Sequence, residues 1–289
     1  MGVKAAAPAL LVLVAGLTAA CSPIKTLNAL SPKGGISVIH DIAYGEGASR
    51  VLDVYAPADR KPGRPVVVFF YGGNWDSGKR ADYAFVGAAL ARRGYVTAIP
   101  DYRLYPEVRY PAFLEDSAAA VRWARDHAAQ YGGDPNRIVL MGHSAGAYNA
   151  AMLAVDRRWL ATVDMDPRQD VKAVVGLAGP YDFLPLKAQR FKDIFGPEDQ
   201  RPITQPINHV DGQAPPMWLA TDLGDKAVDP GNTSRLAARI RKAGGTVEEH
   251  YYARLSHALM VGVIGSPLHF LSSVFRDATA FIDARAARP

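Results

Sequence analysis

The sequence predicts an α/β domain built on a mostly parallel sheet with helices on both faces. Three observations carry that expectation. From residue 65 onward, short and continuously apolar runs alternate with amphipathic segments, as strands buried on both sides alternate with covering helices. Gly142-His-Ser144-Ala-Gly146 stands between one such run and a helix-forming stretch. Another run, Val66 to Tyr71, stops abruptly at Gly72-Gly73-Asn74-Trp75, leaving the backbone bare at the end of a buried strand.

The first element is not part of that domain. Met1-Gly-Val-Lys4 is a short positive segment, and Ala5 to Ala20 is an apolar stretch of 16 residues. That is shorter than the roughly 20 residues that span a bilayer, and it reads as an export signal. It ends in Leu17-Thr-Ala-Ala-Cys21, which resembles the lipobox of bacterial lipoproteins, where the cysteine is lipidated and begins the mature chain. Cys21 is the only cysteine, so no internal disulfide can form. In such lipoproteins a residue other than Asp after the cysteine, here Ser22, implies sorting to the outer membrane. Residues 1–21 are therefore expected to be a lipoprotein-type signal. The protein is expected in the bacterial cell envelope, held to a membrane by its lipid or else secreted.

Residues 22–35, with Ser, Pro, Lys and Gly-Gly, are expected to be a linker, and residues 36–289 one folded domain. Ile36–Tyr44 and Val51–Tyr55 alternate apolar and polar residues around Gly45, Gly47 and Ser49, which predicts an antiparallel pair. The apolar strands follow at Pro65–Phe70, Tyr95–Ile99, Ile138–Met141, Val171–Leu177 and Met217–Ala220. A more polar strand, Thr246–Tyr252, is expected near an edge. Helices are expected over Tyr83–Arg93, stopped by Gly94, and over Pro111–Gln130. Two more are expected over Asn232–Ala243 and over Leu268–Ala284, the last presenting Phe270, Val274, Ala278, Phe281 and Ile282. Residues 178–215 hold Pro, Gly, Lys and Asp with weak periodicity and are expected to form a lid-like insertion after the sixth strand.

Composition narrows the function. With 49% apolar and 21% charged residues the chain can bury a core, which argues against disorder. A net charge of +5, without dense Lys/Arg runs interleaved with aromatics, gives no nucleic-acid footprint. No His or Cys cluster has metal-ligand spacing, and Gly72-Gly73 lacks the Lys-Ser/Thr of a phosphate loop, so no cofactor is expected.

Gly142-His-Ser144-Ala-Gly146 is the strongest chemical signal. A serine on a strained strand-to-helix turn, flanked by glycines, projects its hydroxyl beyond the sheet at a helix N-terminus. A serine cap with incidental glycines would share the five letters but does not require the apolar strand before it. An elbow serine needs a base and an acid in the order Ser, acid, His. His257, in the loop after the last strand, is the expected base. His209 is the one serious rival but precedes the expected acid. Thr221-Asp222-Leu-Gly-Asp225-Lys-Ala-Val-Asp229 offers three acids after the strand Met217–Ala220. Asp225 is favoured because Gly224 allows a bend before it and Val228 packs the returning loop. Asp222 is second, and Asp229 is expected to cap the next helix. The bare loop would supply the N–H groups of Gly73 and Asn74, joined by that of Ala145, to an oxyanion. Trp75, His143 and Tyr181 are expected in the substrate pocket. Tyr102, Arg103 and Asp116 are expected to be scaffold.

Tyr71-Gly-Gly-Asn-Trp75, Asp101-Tyr-Arg-Leu-Tyr-Pro-Glu107 and Gly142-His-Ser-Ala-Gly146 together resemble the α/β-hydrolases, in the carboxylesterase and hormone-sensitive-lipase-like branch. The Gly179-Pro-Tyr-Asp182-Phe stretch resembles the BD-FAE and arylformamidase-like proteins. Similarity runs from about residue 36 to the C-terminus. It implies an eight-stranded, mostly parallel sheet and a Ser-His-Asp serine hydrolase of small-molecule carboxylic esters, with short acyl chains suggested by the modest insertion. Tyr71 departs from the usual histidine, so hydrogen bonding within that loop must differ. An amide hydrolase such as an arylformamidase, or an inactive fold used for binding, are the competing readings.

Overall fold

A computed structural model describes residues 23–287. The signal-peptide and lipobox reading, including Cys21, lies outside these residues. Eight strands form one sheet in the order β1-β2-β4-β3-β5-β6-β7-β8. β1 (Ile36–Ala43) and β2 (Val51–Pro57) pair antiparallel, as their alternation predicts. β2 also runs against β4 (Val96–Pro100). From there to the far edge all pairs are parallel, through β3 (Arg64–Phe70), β5 (Gly133–His143), β6 (Val171–Leu177), β7 (Met217–Asp222) and β8 (Val247–Tyr252).

The continuous apolar runs follow from burial on both faces. Val67 and Phe69 of β3 join Val139 and Met141 of β5 in one core layer. Val66, Val68 and Phe70 join Ile138 and Leu140 in the other. Full burial of each such side chain contributes about 1.5–3 kcal/mol. The first layer is covered by α2 (Ala84–Arg93) through Phe85, Val86 and Leu90, and by α8 (Val274–Arg285) through Val274, Phe281 and Ile282. The second is covered by α3 (Ala112–His127) through Ala118 and Val121, by α4 (Ala145–Val155) through Ala147 and Leu153, and by α6 (Gly231–Lys242) through Leu236 and Ile240. Gly94 closes α2 with φ 112°, as its position predicts. β8 is the half-exposed edge its polarity implies.

The chain leaves β3 toward β4 on one side and returns to β5 on the other. The C-terminal ends of β3 and β5 are therefore adjacent at a reversal of strand order, with Phe70 opposite Gly142. In open α/β sheets such a point leaves a crevice outside the strand ends.

Two expectations are corrected. Part of the linker is helical: α1 (Pro23–Leu30) docks through Asn28, whose side chain bonds Ala81 O, Asp82 O and Phe85 N, while Ile24 and Leu27 pack on the core. Eight residues cannot hold a helix alone, so this one exists by docking. The last helix does not begin at Leu268. Ser266–Leu271 is a separate 3₁₀ turn with Pro267 in its first turn, Ser272 is extended, and α8 starts at Val274. Phe270 is consequently 81% exposed rather than on the core stripe. Apolar spacing alone does not register the serine pair at this break, where Ser272 Oγ accepts Val274 N–H at 3.4 Å and Ser273 Oγ–H donates to Asp277.

Candidate active site

Every residue of interest lies at the C-terminal end of the sheet. Ser144 follows β5 and precedes α4, with φ 54° and ψ −123°. A non-glycine residue held there is strained by about 1–3 kcal/mol. The flanking glycines follow from contact: a Cβ at Gly142 would collide with the backbone of Gly146, and one at Gly146 with the carbonyls of Phe70 and Tyr71. The Ser144 N–H donates to Leu177 O at 2.9 Å, fastening the turn to β6.

His257 begins α7 (His257–Gly262), with Ser256 capping the helix. Its Nε2 lies 2.9 Å from Ser144 Oγ and its Nδ1 2.7 Å from Asp225 Oδ2. The other carboxylate oxygen of Asp225 accepts the N–H groups of Ala227 at 2.8 Å and Val228 at 3.1 Å. One face of this fully buried carboxylate is thus consumed by its own loop, and the other is left for the imidazole. Asp222 has a different task. One of its oxygens accepts Gly224 N–H at 2.9 Å and the other Leu255 N–H at 2.8 Å, so it ties the Asp225 loop to the His257 loop. Asp229 accepts Gly231 N–H at the start of α6 and pairs with Arg235. His209 faces Ile203 O and Asp156, away from this group.

The bare loop approaches the elbow closely. A Cβ at Gly72 would lie 2.9 Å from Ser144 Cβ. Gly73, Asn74 and Trp75 have φ of 140°, 56° and 60°. Gly73 O accepts the N–H groups of Asp76 and Ser77, which closes a tight turn. Among the described residues, no acceptor is found for the N–H groups of Gly73, Asn74 or Ala145. In place of the usual histidine, Tyr71 is buried and stacked between Tyr83 and Tyr102, and Tyr102 Oη–H donates to Tyr71 O at 2.7 Å. Arg103 meets Asp116 through two side-chain bonds of 2.8 Å and one backbone bond of 3.0 Å, which holds the segment after β4 on α3.

A cavity of about 540 Å³ opens over Ser144, with Asn74, Trp75 and Ala145 in its wall. Phe183, Leu184 and Leu186 of the 178–215 insertion, with Phe191 on its helix α5 (Gln189–Phe195), line one part of it. Asp182, Asp229, Asn232 and Arg235 line the other. Two expected pocket residues are elsewhere. The Tyr181 ring is fully buried, with its hydroxyl packed against Gly176 and Gly179, because its neighbours turn out while it turns in. His143 points behind the elbow: alternation along β5 sends its side chain opposite to the serine's. It is 4% exposed, its Nε2–H donates to His257 O at 2.9 Å, and the two rings are 4.8 Å apart. Burial and the neighbouring His257 lower its pKa to about 3, so it is neutral.

Sequence reasoning missed Asn149 and Asn232. Buried Asn149 accepts Trp75 Nε1–H at 3.1 Å and so fixes the pocket's indole. Asn232 accepts the N–H groups of Tyr181 at 2.8 Å and Asp182 at 2.7 Å, anchoring the start of the insertion. An asparagine on an otherwise apolar helix was the available signal for the first. Nothing local marked the second. Among the described residues, no group of three or more His, Cys, Asp or Glu is placed to hold a metal ion.

A strained serine between β5 and α4, with sheet order reversing beside it, is the architecture of the α/β-hydrolase class. Solved structures agree on the fold. Lactobacillus rhamnosis esterase B, inhibited by a tributyrin phosphonate, superposes with a TM-score of 0.80 at 20% identity, covering 98% of this chain and 97% of that one. The apo form of Thermogutta terrifontis esterase 2 gives 0.71 at 26% identity, covering 89% and 98%. The BD-FAE family model matches residues 52–240, and the chain belongs to that family. Among curated relatives, esterase LipC of Mycobacterium tuberculosis is 32% identical over 69% of this chain and 54% of its own length. A probable isoprenylcysteine alpha-carbonyl methylesterase of Arabidopsis thaliana, ICMEL1, is 28% identical over 76% of this chain and 51% of its own. The chain spans about half the length of these two relatives.

Proposed function

We propose that the protein is a serine carboxylesterase that works through an acyl-enzyme on Ser144. The observation that carries this reading is the unbroken line from Ser144 Oγ through the His257 imidazole to Asp225 Oδ2, with bonds of 2.9 and 2.7 Å. Asp225 holds the proton on Nδ1, which leaves Nε2 bare to accept the serine proton. Ser144 Oγ attacks the ester carbonyl as His257 takes that proton. The oxygen turned negative is met by the N–H groups of Gly73, Asn74 and Ala145 at the positive end of α4. Collapse breaks the bond to the alcohol, which leaves with the proton from His257. Water then gives a proton to His257 and its oxygen to the acyl carbon. The acid departs and the serine recovers its proton. One oxyanion donor of this kind contributes on the order of 100- to 1000-fold in rate.

The esterase names of the relatives support an ester as the bond cleaved. Short acyl chains suit the site, because Trp75, Phe183 and Phe191 line a cavity of about 540 Å³ with aromatic rings. Two measurements test this. A fluorophosphonate is expected to label Ser144, and absence of an adduct on folded protein overturns the serine route. Turnover of p-nitrophenyl acetate is expected to exceed that of the palmitate in kcat/KM, and the reverse order overturns the chain-length assignment. Faster cleavage of a formylated aromatic amine than of either ester transfers the assignment to amide hydrolysis.

The reading extends to location: Cys21 carries a lipid that holds the hydrolase on the cell envelope. It is supported by the single cysteine placed at the end of the apolar leader. The mass of the mature N-terminus tests it, and an unmodified cysteine or an uncut leader overturns it.

A further inference from the structure

His143 is a costly residue for a filler. Its ring is buried, its Nδ1 has no hydrogen-bond partner among the described residues, and a Cβ on Gly72 would come within 3.0 Å of that nitrogen. Leaving a buried polar atom unsatisfied costs about 1–3 kcal/mol, which a leucine of similar size would avoid. The return on the imidazole therefore has to come from its other nitrogen.

That nitrogen makes one bond, from Nε2–H to the main-chain carbonyl of His257 at 2.9 Å. His143 is the last residue of β5 and is bonded covalently to Ser144. The contact thus joins the main chain of the base to the strand that carries the nucleophile, over 114 residues of sequence. The His257 ring itself is bonded to Asp225 and Ser144, and the bond to Ser144 is the one that changes during the reaction; its main chain is steadied by this contact together with the Asp222 bond to the neighbouring Leu255 N–H and the Ser256 cap. Resting on the serine-esterase reading above, we infer that His143 is a positioning residue: its Nε2–H holds the His257 main chain so that the imidazole stays in line with the serine hydroxyl. Neutrality belongs to this role. A protonated His143 would stand 4.8 Å from the imidazolium formed in each half-reaction, and the buried site keeps that second charge out.

Three substitutions separate this role from packing. His143→Leu keeps volume and loses the donor. Its kcat is expected to fall on the order of 10- to 100-fold with KM nearly unchanged, because a small misalignment of the base acts on the chemical step. His143→Gln places an amide donor about where Nε2 stands and is expected to recover most of that loss. His143→Asn, whose amide reaches only as far as Nδ1, is not. A His143→Leu protein with wild-type kcat, or a folded His143→Gln protein as slow as His143→Leu, overturns the inference. A readout on the unaltered chain stands beside these variants: ¹⁵N NMR of its histidines is expected to show His143 as the neutral Nε2–H tautomer from about pH 5 to 8, a range in which an ordinary histidine changes charge. An Nδ1–H tautomer, or titration within that range, overturns it. If the unaltered protein cleaves no ester, the functional reading falls, and the tautomer still decides the geometry claimed for His143.

Discussion

Asp222, the last residue of β7, and Asp225, in the turn after it, are both buried carboxylates, and their bonding partners differ. Asp225 offers one oxygen to the His257 imidazole, while both oxygens of Asp222 are taken by the N–H groups of Gly224 and Leu255. The same substitution should therefore act on different quantities. Asp225→Asn keeps an acceptor for its own loop but presents an amide to His257 and favours the wrong tautomer. Its kcat is expected to fall on the order of 10⁴-fold with the melting temperature little changed. Asp222→Asn turns a donor toward one of two buried N–H groups and is expected to lose about 1–3 kcal/mol of stability. Thermal melts and initial rates on the two variants check both. A larger rate loss for Asp222→Asn than for Asp225→Asn would exchange the assignments. The sequence favoured Asp225 through Gly224 and Val228. It contained no sign that Asp222 fastens the two loops, because Leu255 comes beside it only in the fold.

At the scale of elements, the crossing of α4 over the end of β3 sets the geometry of Ser144. Gly146 lies directly on the carbonyls of Phe70 and Tyr71, so the helix and the Gly72-Gly73 loop approach as closely as backbone permits. That approach brings the Gly72-Gly73 loop against Ser144, where a Cβ on Gly72 would lie 2.9 Å from the serine Cβ. Gly146→Ala forces α4 off β3. It is expected to destabilise by more than about 3 kcal/mol, the overpacking limit, with activity falling further than stability. Chemical denaturation and fluorophosphonate labelling of whatever protein folds check this. A fully stable, fully labelled variant would refute the close-approach account. The G-x-S-x-G pattern made the glycines legible, yet the atom each one avoids was visible only after β3 and β5 became neighbours.

For the whole molecule, a neutral buried histidine couples stability to pH. The pKa of His143 falls to about 3 in the folded chain, against about 6.5 when unfolded. Between these values the unfolded chain binds a proton that the folded chain refuses, so stability is lost as pH falls below about 6.5. The groups facing this ring are His257 and, beyond it, Asp225. From pH 7 to pH 5 the His143 contribution is expected to weaken by about 2 kcal/mol, and His143→Gln removes that part of the slope. Urea titrations of both proteins at the two pH values measure it. Equal slopes would show that His143 is hydrated and titrates normally.

The sequence by itself determined the alternation of strands and helices and the serine elbow, and it singled out His257 and Asp225, which the fold joins to Ser144 by hydrogen bonds. Each of these is written in local signals: continuous apolar runs, glycines forced by sterics, and the order of residues after strands. The tertiary structure decided what depends on distant segments meeting. It converted a nominal linker into a helix docked through Asn28, turned Tyr181 and His143 away from the cavity, and left Phe270 exposed before a serine break. It also recruited Asn149 and Asn232, whose partners lie 74, 51 and 50 residues away. Local sequence specifies the torsions that short segments prefer; which side chain faces a cavity is fixed only when the sheet order brings non-neighbouring segments against each other.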